Sequence, residues 1–381
     1  MNFFEDTILQ ARKQGHSVCG DHALCDRTET ATMAVVCDGI GSGVYANIAA
    51  ITCANRLMEL VRSGLSLKSA AGRVADSMNR ARTEEMPFSA FVALRVLSSG
   101  HFTCYAFENP GPIRIRGEVA EVLPQRHIAL KHERIAESIG SLAEGDTLIL
   151  CSDGVTHAGL GGRHIVGWEL PGVAREINAY LRRGGVESRL LPRILNAVKA
   201  LSGRAFQDDA TLLSLRSRKA NRLTLWTGPP ENRADDYRLA RLFDEAGGKK
   251  AICGSTTSEI AARELSRRVR MLNMDAEIGS PPEYQMEGVD LITEGAVTLN
   301  QAMRLLEEKV DLGLRDTAVF KLSRLLEAAD SVTFLLGTGT NLGQEHDPLL
   351  QQLGVKPRRR VVQELEEILR EKGKLVTVKR F

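Results

Sequence analysis

TMAVVCDGIGSG, residues 32–43, joins an apolar run to a glycine-rich loop. Thr32 to Cys37 is a short, mostly apolar run, which is typical of a buried strand. The run ends at Asp38-Gly39, and Asp-Gly is also a common hairpin turn. A hairpin needs a second apolar run after the turn, but the next residues instead carry apolar side chains at helical spacing: Ile48, Ile51, Leu57, Leu60 and Val61. The sequence therefore predicts a central strand that enters a helix through a glycine loop.

Aspartates occur in three further short motifs of the first 210 or so residues. A second apolar run, Thr147 to Cys151, also ends at an Asp-Gly turn. A strand can place a carboxylate at the edge of a sheet, and several such carboxylates can converge on hard cations that take oxygen ligands. The four motifs that could do so are Gly20-Asp21, Asp38-Gly39-Ile40-Gly41-Ser42-Gly43, Ser152-Asp153-Gly154 and Asp208-Asp209-Ala210-Thr211.

In order and strand context, these motifs resemble those of the metal-dependent serine/threonine protein phosphatases of type 2C. The likeness is greatest to the bacterial branch typified by stage II sporulation protein E, and it covers roughly residues 15–216. It implies a two-sheet sandwich flanked by helices. It also implies that two metal ions are held by Asp21, Asp38, the carbonyl of Gly39, Asp153 and Asp208. Asp209 stays open as an alternative to Asp208, since neighbouring strand residues face opposite ways and only one is expected to reach the metals.

The predicted chemistry follows from this ligand set. Two divalent cations can lower the pKa of a bridging water and hold a phosphoryl group for in-line attack, so no protein nucleophile is expected. Oxygen ligands, without paired His or Cys at zinc spacing, favour Mn²⁺ or Mg²⁺, and the resemblance makes manganese the first choice. Ile40 stands where animal-type members have a His, and neither Arg12 nor Lys13 can be assigned as the phosphate-binding cation. The predicted reaction is hydrolysis of phosphoserine or phosphothreonine in a protein substrate.

Composition favours a cytoplasmic enzyme of two domains. The chain has 381 residues, 43% of them hydrophobic, and its 50 Lys and Arg nearly balance its 48 Asp and Glu. The net charge of +2 argues against a nucleic-acid surface. No basic secretory start and no apolar run of about 18 residues is present, so no membrane association is expected.

Cysteine and histidine leave two alternatives beside the acidic motifs. The seven Cys include no C-x-x-C pair, which fits free thiols in a reducing compartment. Cys151 is two residues before Asp153, so it is either a redox sensor or a small core residue. His22 adjoins Asp21 and is either part of the site or an ordinary solvated or core histidine.

The second half of the chain predicts a different fold. After a basic linker at residues 216–221, strand and helix patterns alternate, which favours a parallel, doubly wound, Rossmann-like α/β domain. The whole chain is thus of α/β (α+β) class, with a phosphatase domain over residues 1–219 and a regulatory or ligand-binding domain over 222–381. Thr256 with Glu259 and Thr298 with Gln301 have the spacing of capping boxes. Strands are expected at 223–226, 251–253, 289–292, 332–336 and 375–378.

Glycine and hydroxyl residues follow several of these strands, where open parallel sheets bind ligands. A small anionic or phosphorylated ligand is one interpretation, and ordinary strand-to-helix turns are the other, because no dinucleotide or P-loop spacing is present. Basic residues near the end of the chain are interleaved with Glu and suit an exposed helix. Two hypotheses stay beside the phosphatase: a non-catalytic signalling adaptor, and a second domain with its own phosphorylated ligand. The glycine- and hydroxyl-containing segments that follow the strands are residues 254–257, 293–295 and 337–341.

Overall fold

A computed structural model of the chain describes residues 2–41, 43–130, 133–162, 165–272, 281–313, 315–339 and 355–381. The chain divides into two compact units, Met1–Lys219 and Ala220–Phe381. Each unit buries its own hydrophobic clusters. No helix in the described ranges is long and apolar enough to cross a membrane.

The first unit is built from two antiparallel sheets. Its strands are β1 (Asn2–Ala11), β2 (His22–Arg27), β3 (Ala31–Gly39), β4 (Ser89–Leu97), β5 (His101–Phe107), β6 (Ile113–Arg116), β7 (Val119–Val122), β8 (Arg126–Leu130), β9 (Glu133–Ser141), β10 (Thr147–Cys151) and β11 (Ala210–Lys219). One sheet has the order β2-β3-β4-β5-β9-β8, and the other has the order β1-β11-β10-β6-β7. The predicted central strand is therefore longer than its apolar run and includes Asp38 and Gly39.

Alternation along the strands explains the layers. On β3, Val36 packs into the cluster shared by the two sheets, whereas Val35 and Cys37 pack toward helices. On β10, Leu148 and Leu150 face the other sheet in the same way. The helices are α1 (Val44–Arg62), α2 (Leu67–Thr83), α3 (Asp153–Thr156), α4 (Glu169–Arg182) and α5 (Leu190–Leu201). Because α1 and α2 cover one outer face and α4 and α5 the other, the expected sandwich flanked by helices is confirmed.

The second unit has helices on both faces of one sheet. Its elements are β12 (Arg222–Thr227), α6 (Asp236–Glu245), β13 (Lys249–Cys253), α7 (Ser255–Glu264), β14 (Arg270–Met271), β15 (Glu283–Gln285), β16 (Leu291–Thr293), α8 (Ala296–Glu307), α9 (Ala318–Ala328), β17 (Ser331–Leu336), α10 (Arg358–Glu371) and β18 (Leu375–Arg380). The sheet order is β14-β15-β16-β13-β12-β17-β18. Helices α6 and α7 pack on one face, and α8, α9 and α10 on the other. The doubly wound prediction is confirmed.

Three details of that prediction are wrong. The sheet is mixed, because β14 and β15 pair antiparallel at one edge. Thr256 and Thr298 lie inside α7 and α8, whose first residues follow Gly254 and Gly295, and neither helix has a side-chain cap. The glycines start these helices without a capping box. The strand expected at 289–292 begins only at Leu291, since the carboxylate of Asp290 accepts hydrogen bonds from Lys249 Nζ and the Lys250 N–H.

The cluster between the two sheets should determine the stability of the first unit. Leu213 on β11 is fully buried there, so Leu213→Ala should lower the free energy of unfolding by about 2–5 kcal/mol. Ile139→Ala, at an exposed position of β9, should change it by less than about 0.5 kcal/mol. Urea unfolding followed by tryptophan fluorescence measures the effect of each variant. Trp168 reports on the first unit, which contains both substitutions, and Trp226 reports on the second. Equal effects of the two variants would contradict this packing.

Candidate metal centre

The four aspartate motifs meet at one end of the sandwich. Strand β2 starts where β3 ends, with His22 paired to Cys37. Likewise β11 starts where β10 ends, with Cys151 paired to Leu212. The ends of the two sheets are linked by the N–H of Gly20, which donates to Asp209 Oδ2 at 2.9 Å. Asp21, Asp38, Asp153 and Asp208 therefore all lie at this end, on or just beyond the strand termini.

Strand alternation turns Asp38 toward the space between the sheets. Asp38 has the same parity on β3 as Val36, which packs against the other sheet. Asp38 is buried, and Asp21, just before β2, is only 2% exposed. Both Asp21 carboxylate oxygens are buried and lack a hydrogen-bond partner among the described residues. An unpartnered buried carboxylate is unfavourable, so this position needs a compensating positive charge.

The carboxylates raise one another's pKa. Burial, followed by the charges of Asp21, Asp153 and Asp208, raises the pKa of Asp38 to about 10. Burial also raises the pKa of Asp21 to about 6, and the charges of Asp209 and Asp153 act in the same direction. The hydroxyls of two neighbours lie close enough to offset part of the Asp21 shift, without reaching hydrogen-bond geometry: Ser152 and Thr211. The mutual shifts are consistent with carboxylates that lie at the same end of the sandwich.

Asp208 and Asp209 have different surroundings. Asp209 is buried, and its two carboxylate oxygens accept hydrogen bonds from the backbone N–H of Lys13, at 2.8 Å, and of Gly20, at 2.9 Å. The side chain of Asp208 is 49% exposed, and its Oδ1 lies 3.9 Å from Lys13 Nζ. Burial raises the pKa of Asp208, and the Asp153 charge adds to the shift. Asp209 thus holds backbone in place, whereas the Asp208 carboxylate has a free side.

Two glycines allow the chain to approach closely at this end. A Cβ on Gly39 would overlap the carbonyl of Ala46 in the first turn of α1. A Cβ on Gly154 would overlap the carbonyl oxygen of Asp209 and lie 3.3 Å from the Cβ of Asp208. The Asp-Gly pairs are therefore needed for packing, since only glycine lets α3 contact the segment that carries Asp208.

Several residues of the site were not assigned from sequence. Lys13 is placed beside Asp208 by the fold, and no local pattern indicated this. Asn47 donates its side-chain N–H to the Cys19 carbonyl at 2.8 Å and so holds the loop before Asp21 against α1. His157 Nδ1 lies 3.4 Å from Asp153 Oδ2. The Asp-x-x-x-His spacing on a helix could have indicated that last pair.

The structure also bears on Cys151 and His22, the two residues beside the motifs whose roles the sequence left open. Cys151 packs in the outer cluster beneath α4 and α5, and burial raises the pKa of its thiol to about 12. Strand β10 ends at Cys151 and α3 begins at Asp153, so the two side chains do not share a regular strand face. These facts favour a core cysteine. Burial lowers the pKa of His22 on β2. Ser42 lies outside the described residues.

The donor set fits divalent cations. The predicted set consists of carboxylate oxygens and the Gly39 carbonyl. It includes two buried oxygens on Asp21 that have no hydrogen-bond partner in the described part of the chain, and a nearby positive charge would reverse the raised pKa values. Within the described ranges, no three His, Cys, Asp or Glu side chains already stand where they would hold a metal ion together. The carboxylates thus stand apart, and Asp208, which is half exposed beside Lys13, is one that lies outward.

Comparison with known protein families identifies the first unit. The family model described as stage II sporulation protein E (SpoIIE) matches residues 28–218, half of the chain. The chain belongs to the SpoIIE family. The resemblance inferred from the aspartate motifs is thereby confirmed, and SpoIIE-family domains are protein phosphatases of type 2C.

Solved structures similar to this SpoIIE-family chain are distant in sequence. The phosphatase domain with a regulatory-domain fragment of SpoIIE from Bacillus subtilis is 17% identical, with a TM-score of 0.47, over 57% of this chain and 64% of that one. The chain thus covers less than two thirds of that structure. RsbX in complex with magnesium is 18% identical, with a TM-score of 0.41, over 57% and 100%. The RsbU and RsbW domains of a Mycobacterium tuberculosis protein are 16% identical, with a TM-score of 0.45, over 63% and 69%. None of the curated protein sequences compared with this chain matches it.

The close approach at Gly154 can be tested directly. Gly154→Ala should push Asp208 and Asp209 away from α3, because the added methyl group has no space. We expect a lower melting temperature, corresponding to about 1–3 kcal/mol, and at least tenfold weaker Mn²⁺ binding by calorimetry. Gly162→Ala is the matched control, since the nearest atom of a described residue that its Cβ would meet, the Gly159 carbonyl oxygen, lies at 3.6 Å. Unchanged Mn²⁺ affinity in Gly154→Ala would show that this contact does not shape the site.

Proposed function

We propose that the first unit hydrolyses phosphoserine or phosphothreonine in a protein substrate, with two Mn²⁺ or Mg²⁺ ions held at the cluster of aspartates. The observation that carries this proposal is that Asp21, Asp38, Asp153 and Asp208 lie at one end of the sandwich, with both oxygens of Asp21 buried and without a hydrogen-bond partner among the described residues. Family membership supports the reaction class. The presence of all four aspartates favours an enzyme over a non-catalytic adaptor.

Each residue has a proposed role. Asp38 and Asp21 give buried oxygens between the sheets, the Gly39 carbonyl adds a neutral ligand, and Asp153 and Asp208 complete the set from the other sheet. When bound, the cations supply a water of lowered pKa and neutralise charge on the phosphoryl group. Lys13 provides a cation at the rim that can contact the substrate phosphate, because its ammonium is partly exposed.

We propose Asp208, and not Asp209, as the direct ligand. Both oxygens of Asp209 already accept backbone N–H groups, and a metal ion would have to compete with these hydrogen bonds. Asp208 accepts a single backbone N–H, that of Asp209, on Oδ1 at 3.0 Å, and it has a long ion pair with Lys13. Its half-exposed carboxylate can therefore turn toward the cluster at a lower cost than that of Asp209. Asp209 then acts as a positioning residue, which fixes the loop before Asp21 by its bond to Gly20.

The second unit remains a proposed regulatory domain, and its structure gives no support for a small anionic ligand between β12 and β17. The Gly337 N–H donates to the Thr227 carbonyl at 3.0 Å, and the Gly339 N–H donates to the Pro229 carbonyl at 3.0 Å. These amides are therefore not available to an anion, which favours ordinary turns. Thr340 and Asn341, at the end of the same segment, lie outside the described residues.

Asp38→Asn and Asp153→Asn should each lower Mn²⁺-dependent phosphate release from a phosphothreonine peptide by at least about 100-fold, because each removes a charge that holds the cations. Asp76→Asn, in the middle of α2 where Asp76 pairs with Arg80, is the matched control and should keep wild-type turnover. Phosphate release by the wild-type chain that neither site variant changes would defeat the metal mechanism.

Asp208→Asn and Asp209→Asn should separate binding from stability. An amide N–H₂ at Asp209 would face the N–H of Lys13 or Gly20, so this variant should lose about 1–3 kcal/mol of stability. Asp208→Asn should leave the melting temperature nearly unchanged and weaken Mn²⁺ binding at least tenfold. Thermal unfolding without metal and calorimetry with Mn²⁺ measure the two effects. The reverse pattern would make Asp209 the ligand.

A further inference from the structure

Apolar side chains are exposed next to the candidate metal centre. Ile40, Val44, Tyr45 and Ile48, here called the apolar patch, are between 42% and 75% exposed. They come from the residue after Gly39 and from the first turns of α1. Solvent-exposed residues at the start of a surface helix are usually polar, and grouped exposed apolar residues commonly mark binding surfaces.

Contacts on the other side of the same turns place the apolar patch at the rim of the site. Ala46 packs against Gly39 and Gly20, where an added Cβ would meet it, and Asn47 bonds the carbonyl of Cys19. These contacts fix the start of α1 against the backbone that carries Asp21 and Asp38. Val44, Tyr45 and Ile48 of the same turns face solvent, and Ile40 is two residues after Asp38 in the chain. A polypeptide whose phosphate reaches the cluster along this side of the site would contact them.

The size of the apolar patch indicates which kind of partner it can bind. Four side chains of this kind expose on the order of a few hundred Å², whereas a stable protein interface buries about 800 Å² on each partner. The patch is too small to hold a second copy of the chain on its own. It matches instead the few residues that flank a phosphorylated side chain, which need only weak binding because the phosphate is held elsewhere.

We propose that the apolar patch selects phosphoprotein segments with apolar residues next to the phosphoserine or phosphothreonine. This inference rests on the proposed phosphatase function and adds the substrate class. Tyr45 and Ile48, on one face of α1, form most of the contact, and the aspartate cluster takes the phosphate. Recognition of the segment is then separate from the chemistry.

The test compares a phosphopeptide that has Leu and Ile beside the phosphothreonine, one that has Ser and Gly there, and p-nitrophenyl phosphate, which has no flanking residues. In the full chain with Mn²⁺, Tyr45→Ser combined with Ile48→Ser should raise KM for the apolar peptide about tenfold, as expected when two apolar side chains that the peptide covers only in part lose this contact. The kcat for that peptide, and kcat/KM for the other two substrates, should stay within about twofold.

The matched control is Val119→Ser combined with Ile139→Ser, two positions that are equally exposed but lie on β7 and β9. It should behave as wild type. If the Tyr45 and Ile48 variant hydrolyses both peptides as wild type does, or if it changes only the sedimentation of an oligomer, the inference is overturned while the phosphatase function stands. If the wild type hydrolyses none of the substrates with Mn²⁺, the proposed function fails and the inference fails with it.

Discussion

Repulsion between carboxylates is the constraint on which this site depends. Asp21, Asp38, Asp153 and Asp208 lie near one another at the end of the sandwich, and burial with like charge keeps the pKa of Asp38 high. Such a cluster is unfavourable in the absence of cations. The apolar cluster between the sheets offsets this cost, because it fixes the strands of both sheets near whose ends the aspartates lie.

The site is held by backbone contacts more than by side chains. Gly39 and Gly154 allow α1 and α3 to lie against neighbouring chain. Asp209 joins the two sheets through the N–H of Gly20 and holds the chain after β1 through the N–H of Lys13. The contacts of Gly154 and Asp209 cross between segments far apart in sequence. A small shift in any of them would move a carboxylate, so the glycines and Asp209 matter to binding although none of their side chains needs to contact a cation.

The sequence predicted the parts that depend on local pattern. Apolar runs located β3 and β10, and helical spacing located α1. A strand that is buried on both faces gives a continuous apolar run, whereas a helix that is buried along one stripe gives apolar residues every three or four positions. The pairing of β14 with β15 was missed, since strands of two and three residues carry no periodic signal. The capping boxes failed because glycine began both helices. The ion pair of Lys13 with Asp208 could not be predicted, because it joins residues almost 200 positions apart and is set by how the sheets close.

The separation of phosphate binding from segment recognition follows from the same geometry. Asp21 and Asp38 are buried at the end of the sandwich, whereas Tyr45 and Ile48 are exposed on a helix. A contact of a few hundred Å² gives only weak affinity. Weak affinity suits a phosphatase, because the dephosphorylated product shares every contact except the phosphate and must leave before the next turnover.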